Sequence, residues 1–136
     1  MREPLLKKID CVELHVTDLE EALRFYRDGL GHALVWRSDE AAGLRLADSD
    51  AEILLQTSRK GMNIDFLVPS AGAAALEFER AGGTILTPPF DIQIGRCAVV
   101  QDPWGNALVL LDMSKGRLVT DGEGRIIGNE PPAATK

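Results

Sequence analysis

The chain is poor in the residue types that most often announce chemistry. It has two cysteines, two histidines and few aromatics (four Phe, two Trp, one Tyr) among its 136 residues. Cys11 and Cys97 stand far apart and form no CxxC pair, so neither a zinc knuckle nor a dithiol redox centre is encoded. Both are expected to be reduced thiols of a cytoplasmic protein. Only His15 and His32 offer imidazole, the commonest transition-metal ligand. No apolar run approaches the roughly 20 residues of a membrane-spanning helix; Ala107 to Leu111 is a typical long run here. The stretch from Met1 to Lys8 carries no apolar signal core and no small-residue cleavage site, so secretion is not expected. With 15 basic against 21 acidic residues the net charge is -6, which argues against a nucleic-acid partner. GxSxG, a Walker A loop and a GxGxxG run after a strand are all missing.

What is present is a repeat. Residues 9–34 and 62–86 each read as an alternating strand, a capping residue, an amphipathic helix and a glycine stop, about 52 positions apart. In the first, Asp18 is the N-cap, Leu19, Ala22, Leu23 and Tyr26 share one face, and Gly29 and Gly31 end the helix. In the second, Ser70 starts the helix, Ala74, Leu76 and Phe78 follow, and Gly82 and Gly83 stop it. Strands are predicted after the first helix at 33–37, 43–47 and 51–57. After the second they are predicted at 84–86, 96–101 and 106–112, with breaks at Pro88-Pro89 and Asp102-Pro103-Trp104-Gly105. The pattern is βαβββ twice, an α+β architecture of two tandem modules forming curved sheets, module one over 7–58 and module two over 61–114. A lone module leaves one sheet face bare, so two must cover each other or line a cavity. Residues 115–136 do not repeat; they read as a hairpin about Asp121-Gly122-Glu123-Gly124 and a tail expected to be disordered.

Strand alternation assigns faces. Val12, Leu14 and Val16 face the first helix, leaving Cys11, Glu13 and His15 opposite. Ile64, Phe66 and Val68 face the second, leaving Asn63, Asp65 and Leu67 opposite. The same open face receives Glu52, Leu54 and Gln56, and also Ala107, Val109 and Leu111. Such a face is either a solvated sheet surface or a concave small-molecule pocket. Trp36 is the aromatic expected in that pocket; Phe25 and Tyr26 are expected to pack the first helix, and Trp104 its own turn. A Cys11–His15 nucleophile pair is excluded by reach, since residues four apart on a strand stand roughly 13 Å apart.

The segments Ile9–Glu20, Phe25–Gly31 and Asp102–Asn106 together resemble the vicinal oxygen chelate superfamily of glyoxalase I, bleomycin resistance proteins and extradiol dioxygenases, over about residues 7–114. The resemblance implies paired modules, a cavity between sheets and a homodimer. In metal-using members the ligands sit on the first and last strands of each module. The matching positions here hold Cys11, Leu54, Asn63 and Val109. Two of these cannot bind a metal, and a catalytic site wants about three imidazole or carboxylate donors, so no metal or other cofactor is expected. The resemblance then implies a metal-free ligand-binding protein for a cationic or aromatic small molecule, with Cys11, Glu13, His15, Trp36, Glu52, Leu54, Gln56, Asn63, Asp65 and Val109 as binding residues. The alternatives are a metal-independent lyase or isomerase using Glu13 and Asp65 as acid and base, a metal site rebuilt from Glu13, Glu52, Asp65 and His15, and a module whose own tail fills the cavity.

Overall fold

A computed structural model describes residues 3–131; the expected tail disorder falls largely outside them. The first module runs β1 (Lys8–His15), α1 (Leu19–Leu23), β2 (Leu34–Arg37), β3 (Ala41–Arg45) and β4 (Glu52–Gln56). The second runs β5 (Asn63–Leu67), α2 (Ala71–Arg80), β6 (Thr84–Asp91), β7 (Arg96–Gln101) and β8 (Ala107–Asp112). All eight strands join one mixed sheet in the order β2-β3-β4-β1-β5-β8-β7-β6. A separate two-stranded ribbon, β9 (Arg117–Thr120) with β10 (Ile126–Glu130), follows.

The repeat spacing explains the seam. β1 pairs antiparallel with β5, and Val12 faces Ile64, its own equivalent in the second module. A pairing centred on equivalent residues makes the seam a local two-fold axis. It follows that Cys11 faces Asp65 while Glu13 faces Asn63. Each outer strand set is an antiparallel meander that returns its last strand beside the first, parallel, as β4 beside β1 and β8 beside β5.

Local chemistry sets the helices. Asp18 Oδ1 accepts from the Glu21 N–H at 3.0 Å, and Ser70 Oγ from the Ala73 N–H at 3.2 Å. Each bond satisfies one of the amides that a helix start leaves open. Past Leu23 the first helix widens into a π-helical stretch, Arg24–Gly29. Leu19, Ala22 and Leu23 pack with Ala42, Leu44 and Leu55 on one side of the sheet. In the second module Ala74 and Ala75 pack with Val68, Ala98, Val100 and Leu110. At about 1.5–3 kcal/mol per fully buried large aliphatic side chain, these two layers carry the fold and leave the opposite sheet face free. Asp112 ties α2 to the sheet: its buried carboxylate accepts from the Ala71 N–H at 2.7 Å, the Arg96 N–H at 3.0 Å and the Ser114 hydroxyl at 2.7 Å.

Ala71, Ala74 and Ala75 form the buried face of α2 and Leu76 is half exposed. Three sequence expectations are corrected. Pro88 and Pro89 do not end β6, which is an edge strand that absorbs them in a register irregularity. Trp104 is 83% exposed, since Asp102 holds that turn through the Trp104 and Asn106 N–H groups, both at 2.9 Å. Phe25 is 59% exposed and meets Tyr26 edge-on, so only Tyr26 reaches the core. Among the described residues no helix is long and apolar enough to cross a membrane.

Candidate functional site

The free face of the sheet curls around a cavity of about 530 Å³. That lies within the range typical of small-molecule sites. Its floor is the seam. Two rows cross the sheet there, exchanged by the local two-fold axis: Leu54–Glu13–Asn63 and Val109–Asp65–Cys11. Glu13 and Asp65 are therefore equivalents, each standing between two of the positions that the family resemblance singled out. Around them lie Val99, Leu111, Ile92 and Ile94, so the carboxyls sit on an apolar surface.

The structure brings seven of the ten predicted residues to this cavity: Cys11, Glu13, Trp36, Glu52, Leu54, Asp65 and Val109. Three predictions are corrected. His15 and Gln56 end β1 and β4 and pair with each other in register, beyond the cavity end of the seam. His15 lines a shallow surface groove with Asp18, Phe25 and Tyr26 instead. Gln56 is buried, but in the loop that follows it: its Oε1 accepts from the Ser58 and Arg59 N–H groups at 2.8 and 2.7 Å, and its Nε2 donates to the Arg59 carbonyl at 2.6 Å. Asn63 opens β5 and is half-buried outside the cavity lining.

The loop that Gln56 ties down delivers a residue that sequence reasoning missed. Arg59 reaches back over the seam and its Nη2 donates to Glu13 Oε1 in an ion pair. Glu13 itself is 2% exposed, so this guanidinium is the counter-charge that makes its burial tolerable. No periodicity marks Arg59, because its aim depends on a loop fold. Asp10 was missed as well. A register irregularity between Ile9 and Cys11 lets neighbouring residues both line the cavity. Phe90, Gln93, Cys97, Arg117 and Thr120 complete the polar and aromatic lining.

Electrostatics concentrate at Asp65. Burial pushes its carboxyl up, and the adjacent Glu13 pushes it further by hydrogen bonding and repulsion, to about 9. Asp65 thus holds a proton at neutral pH. Its Oδ1 is buried and has no partner among the fixed donors of the described residues, as fits an oxygen that shares that proton with Glu13. Burial likewise raises Asp10 and Glu52. Glu52 accepts the Trp36 indole N–H at 3.0 Å, which fixes the ring across β3. Gly43 makes room for it: a Cβ there would stand 2.1 Å from Trp36 Nε1. Both thiols are deactivated. Burial, then the carboxylates of Asp65, Asp10 and Glu13, raises Cys11 well above the ordinary thiol range; burial, then Asp65 and Glu13, pushes Cys97 up to about 12. Neither supplies a thiolate nucleophile at neutral pH.

The donor set does not fit the metal centre that the resemblance brings with it. Leu54 and Val109 face the cavity as hydrocarbon, Asn63 is outside it, and Cys11 alone remains. Among the described residues no three His, Cys, Asp or Glu side chains converge as ligands, the rebuilt Glu13, Glu52, Asp65 and His15 set included.

The Glyoxalase/Bleomycin resistance protein/Dioxygenase superfamily model matches residues 8–110. No curated protein matches the sequence. Among solved structures, methylmalonyl-CoA epimerase from Mycobacterium tuberculosis is similar with a TM-score of 0.68 at 21% identity, over 82% of this chain and 91% of that one. A glyoxalase/bleomycin resistance protein/dioxygenase superfamily member from Vibrio splendidus 12B01 gives 0.58 at 19% identity, over 75% and 95%. Homoprotocatechuate 2,3-dioxygenase from Brevibacterium fuscum gives 0.61 at 22% identity, over 81% of this chain and 37% of the larger enzyme.

Proposed function

This chain belongs to the Glyoxalase/Bleomycin resistance protein/Dioxygenase superfamily, and on that footing we propose that its cavity binds a small organic molecule without a metal ion. The observation that carries the reading is the floor of the cavity: a proton-sharing Glu13–Asp65 pair between hydrocarbon side chains at two of the positions where metal-using relatives place ligands. The ligand has a flat apolar or aromatic body and a cationic, hydrogen-bond-donating end. The body suits Trp36, Phe90 and the apolar walls. The charged end suits four cavity carboxyls (Asp10, Glu13, Glu52 and Asp65) set against the guanidiniums of Arg59 and Arg117. An ammonium group at the floor takes the place of the Asp65 proton.

A thermal-shift screen of arylalkylamines beside their neutral alcohol isosteres tests this. Stabilisation by amines that is lost in Asp65→Asn and weakened in Glu13→Gln supports the reading. Equal shifts by the alcohols, or amine shifts unaltered in Asp65→Asn, overturn it.

One observation favours a second reading. Two equivalent carboxyls that hold a single proton in an apolar cavity are equipped for proton transfer, as in a metal-independent lyase or isomerase. The epimerase among the structural neighbours is in keeping with that chemistry. Here Asp65 donates a proton and Glu13, steered by Arg59, accepts one. Glu13→Gln separates the two: turnover collapses if Glu13 is a base, whereas a binding protein loses only affinity.

A further inference from the structure

We propose that the ribbon β9–β10 is a hinged lid that closes the cavity by latching the second module onto the first. The family match ends at residue 110, and the outer wall of the cavity is built from beyond it, by Arg117, Leu118, Thr120 and Ile126. Alternation on the ribbon agrees with that placement for Leu118, Thr120 and Ile126, while Arg117 reaches the cavity from the exposed face. Leu118 and Thr120 turn inward while Val119 stays exposed; Ile126 turns inward while Ile127 is 66% exposed.

The ribbon is a body of its own. It forms a sheet separate from the eight-stranded one, and Asp121 Oδ1 holds its turn by accepting from the Glu123 and Arg125 N–H groups at 2.8 and 3.0 Å. Its base is fixed to module two, where the Lys115 N–H donates to the Ile94 carbonyl at 2.8 Å and Lys115 Nζ pairs with Asp91 at 2.9 Å. Between base and ribbon stands Gly116, at φ +102, where a side chain would strike the Glu130 carbonyl. The chain therefore turns from base to ribbon at a residue that only glycine suits, with Asn129 Nδ2 bonding the Lys115 carbonyl at 2.8 Å beside it, and the lid pivots about this joint.

The tip crosses to module one. There the Arg37 N–H donates to the Gly124 carbonyl at 2.7 Å, a single bridge joins Arg37 to Arg125, and Arg125 pairs with Asp39 at 3.4 Å with both side chains more than half exposed. Gly124 rests on Leu34. One backbone bond and an exposed ion pair make a light latch, weakened by salt. Lifting the ribbon breaks this latch and parts Gly124 from Leu34.

The inference rests on the cavity being the ligand site proposed above, but its test contains no ligand, so its failure leaves the binding reading to its own screen. In full-length Trp104→Phe, Trp36 is the sole tryptophan and reports access to the cavity. Acrylamide quenching of Trp36 is compared with and without Arg125→Glu, which sets two acids against each other at the latch. A rise in the quenching constant of about twofold, reversed when Asp39→Arg is added, supports the lid; an unchanged constant in folded Arg125→Glu overturns it. Should Arg125→Glu fail to fold, hydrogen exchange of the unmodified chain decides. Ribbon amides exchanging at least about tenfold faster than those of β8 support a moving lid, and equal protection means a fixed wall.

Discussion

Replacing Asp65 by Asn removes one proton from the folding equilibrium, and the consequence can be worked out from the seam. An unfolded aspartate ionises near 3.8, while in the folded chain burial and the Glu13 carboxyl hold Asp65 up to about 9. Between those values the unfolded chain has released a proton that the folded chain retains, so raising the pH favours unfolding. The contribution of Asp65 to stability is complete below 3.8 and is lost as the pH climbs through about 9. For one proton the slope is roughly 1.4 kcal/mol per pH unit. From pH 6 to pH 8 the natural protein should therefore lose on the order of 3 kcal/mol relative to Asp65→Asn. Asn is close in shape and cannot ionise, so the other titrating groups largely cancel in the difference. Urea unfolding of both proteins, followed by far-ultraviolet circular dichroism at pH 6, 7 and 8, measures it. Two curves that stay parallel across that range would show that Asp65 does not hold a proton in the folded state. The acid–base arrangement of the floor would go with it.

Two further expectations concern the supports of the site. Gly43→Ala drives a methyl into the Trp36 ring and should cost about 1–3 kcal/mol as overpacking; in a Trp104→Phe background it should also change the Trp36 emission maximum, and an unmoved spectrum would contradict the packing of Trp36 against β3. Asp112→Ala leaves the Ala71 and Arg96 N–H groups without their acceptor; at about 1–3 kcal/mol for each buried donor left open, urea unfolding should register a loss of at least about 2 kcal/mol, and a change near zero would mean that water replaces the carboxylate.

The fold and the floor of the cavity were legible in the sequence because both rest on periodicity. The spacing that separates Val12 from Ile64 gives the two-fold seam, and period-two alternation puts Cys11, Glu13 and Asp65 on one face. Alternation assigns a face but not a depth along the strand. That is how His15 and Gln56, two residues beyond Glu13 and Leu54 at the strand ends, fall outside the cavity lining; Asn63, level with Glu13 in register, falls outside it too. Arg59 was hidden because its position comes from Gln56 bonding the backbone of a loop, which has no sequence period. The ribbon was readable as a hairpin, whereas its place over the mouth depends on tertiary bonds to Arg37 and Asp39 in the other module. Trp104 shows the converse error. An aromatic beside a turn reads as packing, but Asp102 already satisfies the backbone of that turn.

Independence from a bound metal is most directly tested by elemental analysis of the full-length protein purified without chelators and then dialysed against equimolar zinc, nickel, manganese or ferrous iron. A floor of two carboxyls, one deactivated thiol and hydrocarbon should retain none of these at stoichiometric level, and the arylalkylamine shifts should be unchanged by added metal. Retention of any one ion near one equivalent per chain, lost in Glu13→Gln or Asp65→Asn, would contradict the account.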